Sequence, residues 1–181
     1  MRIIAGICKG RRLFSPRWVG LRPTSDRLRE TLFDILGDQV VGRRVLDACA
    51  GTGALGIEAL SRGAIHAIFV DRDPRAVDLI RQNIVKCKLS DRCSIIRGTL
   101  PRVLGRLRTS GFDLILLDPP YAADDTDAIL SAVADHLEDE GLLVLERSRK
   151  QEQIYTQKLV AVRSVCVGSS VLEFFTPQPR A

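Results

Sequence analysis

Val45-Leu46-Asp47-Ala48-Cys49-Ala50-Gly51-Thr52-Gly53-Ala54-Leu55-Gly56 is the stretch on which the fold turns. Val45-Leu46 reads as a short strand running into Asp47. Gly51 to Gly53 form a turn, and residues 54–62 a helix closed by Gly63. The same unit repeats downstream. Residues 67–70 predict a second strand ending at Asp71, then Asp73 caps a helix with Pro74 at its first position. Val77, Ile80 and Ile84 give that helix its buried face. Residues 93–96, 114–117 and 142–145 predict three more strands. Leu100, Val103, Leu104 and Leu107 predict a helix before the fourth strand, and Ile129, Leu130, Val133 and Leu137 one after it. Alternating strands and helices imply a doubly wound, mostly parallel sheet covered on both faces. The end departs from this pattern. Residues 159–167 and 171–175 are strand-like with only Gly168-Ser169-Ser170 between them, which makes an antiparallel hairpin.

The chain has 181 residues, 45% hydrophobic and 27% charged, an ordinary mix for one domain with a small appendage. No apolar run approaches the ~20 residues of a membrane span, and the basic N-terminus lacks the apolar core of a signal peptide. A cytoplasmic protein with no membrane association is expected. Cys8, Cys49, Cys87, Cys93 and Cys166 are odd in number and widely spaced, so they read as reduced and structural. His66 and His136 stand far from any cysteine pair, which argues against a metal and against a histidine base.

Charge is unevenly placed. Residues 1–44 hold ten Lys/Arg against four Asp/Glu, a net +6, while the remainder holds seventeen against eighteen, a net −1. No acid precedes Asp26. A one-signed segment that also carries Phe14 and Trp18 predicts a nucleic-acid partner. The RNA-contact candidates are Arg2, Lys9, Arg11, Arg12, Arg22, Arg27 and Arg29. Within this segment residues 2–6 and the stretch around Arg12-Leu13-Phe14 predict a short β-hairpin turned by Lys9-Gly10. Thr24 or Ser25 caps a helix whose buried face is Leu28, Leu32, Ile35 and Leu36, ended by Gly37. Arg27 and Arg29 lie off that face and are expected to reach a ligand. Residues 1–43 are thus read as a basic recognition extension, and 44–181 as the catalytic domain.

Gly51, Gly53 and Gly56 fit the spacing of a dinucleotide fingerprint, and Asp71 lies where an acid accepts from ribose hydroxyls. Asp47, four residues before Gly51, would oppose a diphosphate but suits a cationic ligand such as the ammonium of a methionine moiety. The C-terminal antiparallel hairpin is also a feature of S-adenosylmethionine (SAM)-dependent methyltransferases, and less expected of NAD-binding domains. The fold expected is therefore α/β, Rossmann-like, of the class I SAM-dependent methyltransferase kind. The cofactor-binding candidates are Asp47, Ala48, Gly51, Thr52, Gly53, Gly56, Asp71 and Arg72, with Thr99 and Leu100 at the third strand's end for the adenine.

Phe112-Asp113-Leu114-Ile115-Leu116-Leu117 stops abruptly at Asp118-Pro119-Pro120-Tyr121. The prolines cannot donate to a ladder, so the strand ends there. Methyl transfer to an exocyclic base amine needs the nitrogen lone pair aimed at the donor. Asp118 and the Pro119 carbonyl can each accept one amine hydrogen, Pro120 stiffens the turn, and Tyr121 can stack on the base, worth about 1–3 kcal/mol. Guanine N2, adenine N6 and cytosine N4 all fit this chemistry.

Residues 2–6, Lys9-Gly10-Arg11-Arg12-Leu13, Arg22-Pro23-Thr24, Asp26-Arg27-Leu28-Arg29-Glu30, Leu32-Phe33 and the run from Gly51 to Ala64 together resemble the bacterial family that methylates guanine N2 in 16S ribosomal RNA. The resemblance covers essentially the whole chain and is loose after Glu146. Cys49 stands where the family more often has Phe, Asp71 where Glu is common, and Thr99 where an acid or amide is usual for this class. The resemblance implies a monomeric enzyme using SAM to make N2-methylguanine in 16S rRNA, within the small ribosomal subunit or an assembly intermediate. An N6-adenine DNA or RNA methyltransferase, a glutamine methyltransferase of release factors and a non-catalytic RNA-binding protein are the competing readings.

Overall fold

The computed structural model describes residues 1–16, 18, 24–107, 111–119, 126–154 and 156–179. Seven strands form one sheet: β1 (Arg44–Ala48), β2 (His66–Asp71), β3 (Cys93–Arg97), β4 (Phe112–Leu117), β5 (Leu137–Ser148), β6 (Leu159–Val167) and β7 (Ser170–Pro177). Their order is β3-β2-β1-β4-β5-β7-β6. β1 to β5 run parallel, and β7 pairs antiparallel with both β5 and β6. β1 lies centrally, with β2 on one side and β4 on the other. Its C-terminal end is therefore the point where the strand order reverses, the place where open α/β sheets bind ligands.

Side chains of the central strands alternate between two apolar layers, as the period of two requires. Val45, Phe69, Leu114, Leu116 and Val144 face one layer, shared with α1 (Asp26–Leu36), α2 (Ala54–Ser61) and α3 (Pro74–Cys87). Leu46, Ile68, Val70, Ile115, Leu117 and Leu145 face the other, covered by α4 (Thr126–Ala134) and by Leu100, Val103 and Leu104. Ser25 caps α1 through Leu28 N, and Asp73 caps α3 with Pro74 behind it. All eight residues of α2 are buried.

The helix expected over residues 100–107 is instead a run of turns with one 3-10 turn at Leu104–Arg106. The apolar spacing is still used, because Leu100, Val103 and Leu104 are buried. Pro101 and Gly105 interrupt an already short segment, so packing is met without regular helical bonding.

The N-terminal hairpin consists of the bridge Arg2–Arg12, the bonds Ile3 N to Arg11 O (2.9 Å) and Gly10 N to Ile3 O (2.8 Å), and a 3-10 turn at Gly6–Cys8. It packs on α2. Glu58 is wholly buried and accepts from Ile4 N and Ala5 N, while Ser61 Oγ accepts from Cys8 N and donates to Ala5 O. Gly6, at φ +77°, lies so close that a Cβ would stand 1.8 Å from Ser61 O. Ile3, Leu13, Leu28, Leu32, Phe33 and Leu36 all belong to the same apolar layer as the sheet. Each large side chain so buried contributes about 1.5–3 kcal/mol relative to exposure.

Candidate active site at the ends of β1, β2 and β4

Asp47 is the fourth residue of β1, and its carboxylate turns under the glycine turn. Oδ2 accepts from Gly56 N at 2.8 Å, inside the first turn of α2. Gly56 leaves no room for a side chain, since a Cβ would meet the Phe69 ring at 2.4 Å. Its absent side chain thus serves helix–sheet packing. The turn itself needs left-handed backbone at Cys49 (φ 66°), Gly51 (φ 57°) and Gly53 (φ 76°). That conformation is cheap for glycine and uncommon for cysteine.

Asp71 braces the turn from the next strand. Oδ2 accepts from Gly51 N (2.8 Å) and Oδ1 from Asp73 N (2.9 Å). The path continues across the sheet, because Gly98 N bonds Asp71 O and places Thr99 just beyond β3. Thr99 is exposed there, whereas the Leu100 side chain is turned into the layer beneath the sheet. Arg72 is exposed beside Asp71, and Ala48 is buried in the strand end.

On the other side of β1, Leu117 pairs with Ala48, and Asp118 N lies 3.4 Å from Ala48 O. The Asp118 carboxylate is held by Thr24, whose Oγ1 donates to Oδ2 at 2.8 Å. Pro119 is buried behind it. Pro120, Tyr121 and Arg22 lie outside the described residues.

Three carboxylates therefore converge at the switch point. Burial pushes the Asp47 carboxyl up to about 8, against the lowering effect of its Gly56 bond, and the negative charges of Asp118 and Asp71 add to the rise. The Cys49 thiol is pushed up to about 12, first by burial and then by Asp71, Asp118 and Asp47, so it stays protonated. A site that gathers negative charge around a glycine turn fits a ligand carrying positive charge, as SAM does on its sulfonium and ammonium. The same carboxylates would repel a diphosphate.

The expected basic contacts divide. Arg2, Lys9, Arg12 and Arg27 are exposed. Arg11 is partly exposed, with Nη1 donating to Lys86 O at 2.6 Å. Arg29 overturns its expectation, because its side chain is wholly buried. One guanidinium nitrogen bonds Arg2 O and Asp26 Oδ1, both at 2.7 Å, and the other lies 3.6 Å from Glu58. The buried face of α1 is wider than a single stripe. Phe33 is buried four residues on from Arg29, so position 29 is enclosed with it.

Two functional candidates escaped the sequence reading. Thr24 appears there only as a possible helix cap, yet it reaches the Asp118 carboxylate. Asn83 is wholly buried on α3. Its Oδ1 accepts from Phe14 N (2.7 Å), and its Nδ2 donates to Phe14 O (3.2 Å) and to Thr52 O (3.0 Å). A polar residue beside the apolar positions Ile80 and Ile84 was the available signal.

Strand order, a glycine turn at the reversal point and an acid at the end of each flanking strand define a class I SAM-dependent methyltransferase fold. The chain matches the family described as "Conserved hypothetical protein 95" over residues 1–176. It is 40% identical to YlbH of Bacillus subtilis, over 84% of this chain and 85% of the relative. It is 34% identical to the ribosomal RNA small subunit methyltransferase D of Escherichia coli, over 81% of this chain and 74% of that protein. The solved structure of YhhF from Escherichia coli superposes with a TM-score of 0.87 at 28% identity, covering 99% of both chains. The chain belongs to this family of RsmD-like rRNA methyltransferases.

Proposed function

We propose that this protein transfers a methyl group from SAM to the exocyclic N2 amine of a guanine in 16S rRNA of the small ribosomal subunit. One observation carries the reading: Asp118 stands at the end of β4 against Ala48, anchored by Thr24, beside the glycine turn flanked by Asp47 and Asp71. Donor and acceptor sites are thus neighbours across a single pair of strands.

Asp47, Gly51, Thr52, Gly53 and Asp71 would hold SAM, with Ala48, Gly56 and Arg72 framing the turn and with Thr99 and the backbone N–H of Leu100, whose side chain is buried, meeting the adenine. SAM bound there supplies an electrophilic methyl on a sulfonium. Asp118 and the Pro119 carbonyl take the two hydrogens of the base amine, which draws the nitrogen toward a pyramidal shape and aims its lone pair. A carboxylate accepts up to about four hydrogen bonds, so anchoring by Thr24 is compatible with this duty. Positioning supplies much of the rate. Tyr121 is assigned the base face and Pro120 the stiffness of the turn. The base must leave its stack to enter, and the basic residues 1–43, through Arg2, Lys9, Arg11, Arg12, Arg22 and Arg27, would hold the surrounding RNA in a cytoplasmic particle or precursor.

The two-acceptor turn is common to several amine targets. The choice of guanine follows the resemblance of the N-terminal motifs, and the choice of small-subunit rRNA follows the named relatives. The test is transfer of labelled methyl from SAM to naked 16S rRNA, unmodified small subunits, DNA and release factors, with nucleoside mass spectrometry of the product. N2-methylguanine in 16S rRNA is expected, and N6-methyladenine or label in DNA alone overturns the assignment. Asp118→Ala is expected to lower transfer at least about 10²-fold, the scale for losing one oriented polar partner at a reacting centre, with cofactor binding retained.

A further inference from the structure

Residues 11–16 and Trp18 lie antiparallel along α3. Arg11 bonds the backbone of Lys86 near the helix C-terminus, Phe14 is clasped by Asn83, and Trp18 reaches Arg75 in the first turn. Each ring meets a cation from the helix. Lys86 Nζ lies 4.0 Å from the Phe14 ring centroid, and Arg75 Cζ lies 5.1 Å from that of Trp18. Phe14 remains 45% exposed. The outward positions of α3 and its end add Arg81 and Lys88, with Asp73 and Asp78 as the local acids. α3 begins directly after Asp71 and Asp73, at the cofactor end of the sheet. The outward face of α3 therefore carries cations along both of its edges, with the two rings on the Arg75 and Lys86 edge, and it starts beside the site.

We infer that α3 is part of the RNA-binding surface: Arg75, Arg81, Lys86 and Lys88, with Phe14 and Trp18, form a track that guides an RNA strand toward Asp118. This rests on the rRNA reading above and extends it from the N-terminal segment to a helix of the catalytic sheet. The chemistry is that of single-strand binding, in which cations follow the phosphates and flat groups stack on bases. A guanidinium over an indole adds a planar face on which a base can stack. A purely structural role for the two cation–ring pairs would leave RNA affinity untouched by these side chains.

The experiment is anisotropy titration of fluorescent, unmodified 16S rRNA transcript from 50 to 200 mM salt. It compares the wild type, an Arg11→Gln/Arg12→Gln variant, an Arg81→Gln/Lys86→Gln/Lys88→Gln variant and Phe14→Ala. Each lost phosphate contact lowers the log–log salt slope by about 0.7 on single strands. The triple variant is expected to lose about 2 in slope and to bind at least about tenfold more weakly, with S-adenosylhomocysteine affinity unchanged. An unchanged slope in the triple variant, beside a lowered one in the Arg11/Arg12 variant, overturns this inference alone. No salt-dependent binding by the wild type overturns the rRNA reading with it. Photo-crosslinking of the wild type to the same transcript avoids substitution altogether. Crosslinks within residues 74–88 and at Phe14 are expected, and crosslinks confined to other peptides overturn the track.

Discussion

Thr24 and Asp118 are 94 residues apart in sequence and joined by a 2.8 Å hydrogen bond at the mouth of the site. Thr24 precedes the cap of α1, whereas Asp118 ends β4. The bond therefore ties the basic N-terminal part to the residue that would receive the substrate amine. Hydrogen bonds to a charged group contribute about 1.5–3 kcal/mol. Thr24→Val keeps the shape and removes the hydroxyl. It is expected to lower kcat about 10–100-fold with little change in cofactor affinity, while Thr24→Ser retains most of the rate. Single-turnover methylation checks this, and a valine variant at wild-type rate would sink the positioning role.

Asp47 gives the site a pH dependence. The unfolded chain loses this proton near 3.8 and the folded protein near 8. Between those values the folded state holds the extra proton, so its contribution to stability falls as pH rises from about 4 to about 8 and is level beyond. A cation bound beside Asp47 favours the ionised form and expels that proton. Affinity for S-adenosylhomocysteine is thus expected to rise between about pH 6 and 7.5, by at most about tenfold per unit, and Asp47→Asn to flatten the profile. Calorimetric titration in buffers of different ionisation enthalpy measures the released proton directly. A flat wild-type profile would contradict the raised carboxyl.

Much of the sheet was legible because its signals are local. Val45-Leu46 before Asp47, Asp73 before Pro74, and Gly168-Ser169-Ser170 between two apolar runs each announce an element within a few residues. The turn after β3 was not legible, because Leu100, Val103 and Leu104 satisfy a helical period and a packed turn alike. Arg29 was misread for a different reason. Its burial depends on Glu58 and on the carbonyl of Arg2, partners that only tertiary structure brings to it. Thr24 and Asn83 acquire their roles in the same non-local way. The strand-end acids, by contrast, could be read in advance, since a parallel sheet places successive strand ends side by side.

Arg29 is expected to matter for folding and not for RNA. Removing one partner from a buried ion pair strands the other charge, at a cost of about 3–5 kcal/mol. Arg29→Ala removes one of the two cations on buried Glu58 among the described residues and leaves it Arg62, whose Nε holds Oε1 at 2.9 Å, with the Ile4 and Ala5 N–H groups. Thermal melts should show a fall of about 6–20 °C, from roughly 2–4 °C per kcal/mol at this size. The salt slope of RNA binding, measured below the melt, should match the wild type. A lowered slope would return Arg29 to the RNA surface.

Asn83 links two regions through one buried amide. It holds the Phe14 backbone by both its N–H and its C=O, and the same Nδ2 reaches Thr52 O in the glycine turn. Substitution by leucine leaves the Phe14 N–H and two carbonyls without this partner, at about 1–3 kcal/mol for each group left unsatisfied. Asn83→Asp is the more telling variant. It can still accept from Phe14 N but cannot donate to either carbonyl, so both the arm and the turn should loosen. Cofactor affinity and RNA affinity are then expected to fall together, even at temperatures where circular dichroism reports a folded protein. Loss of RNA binding with cofactor affinity intact would show that the Thr52 bond does not support the turn.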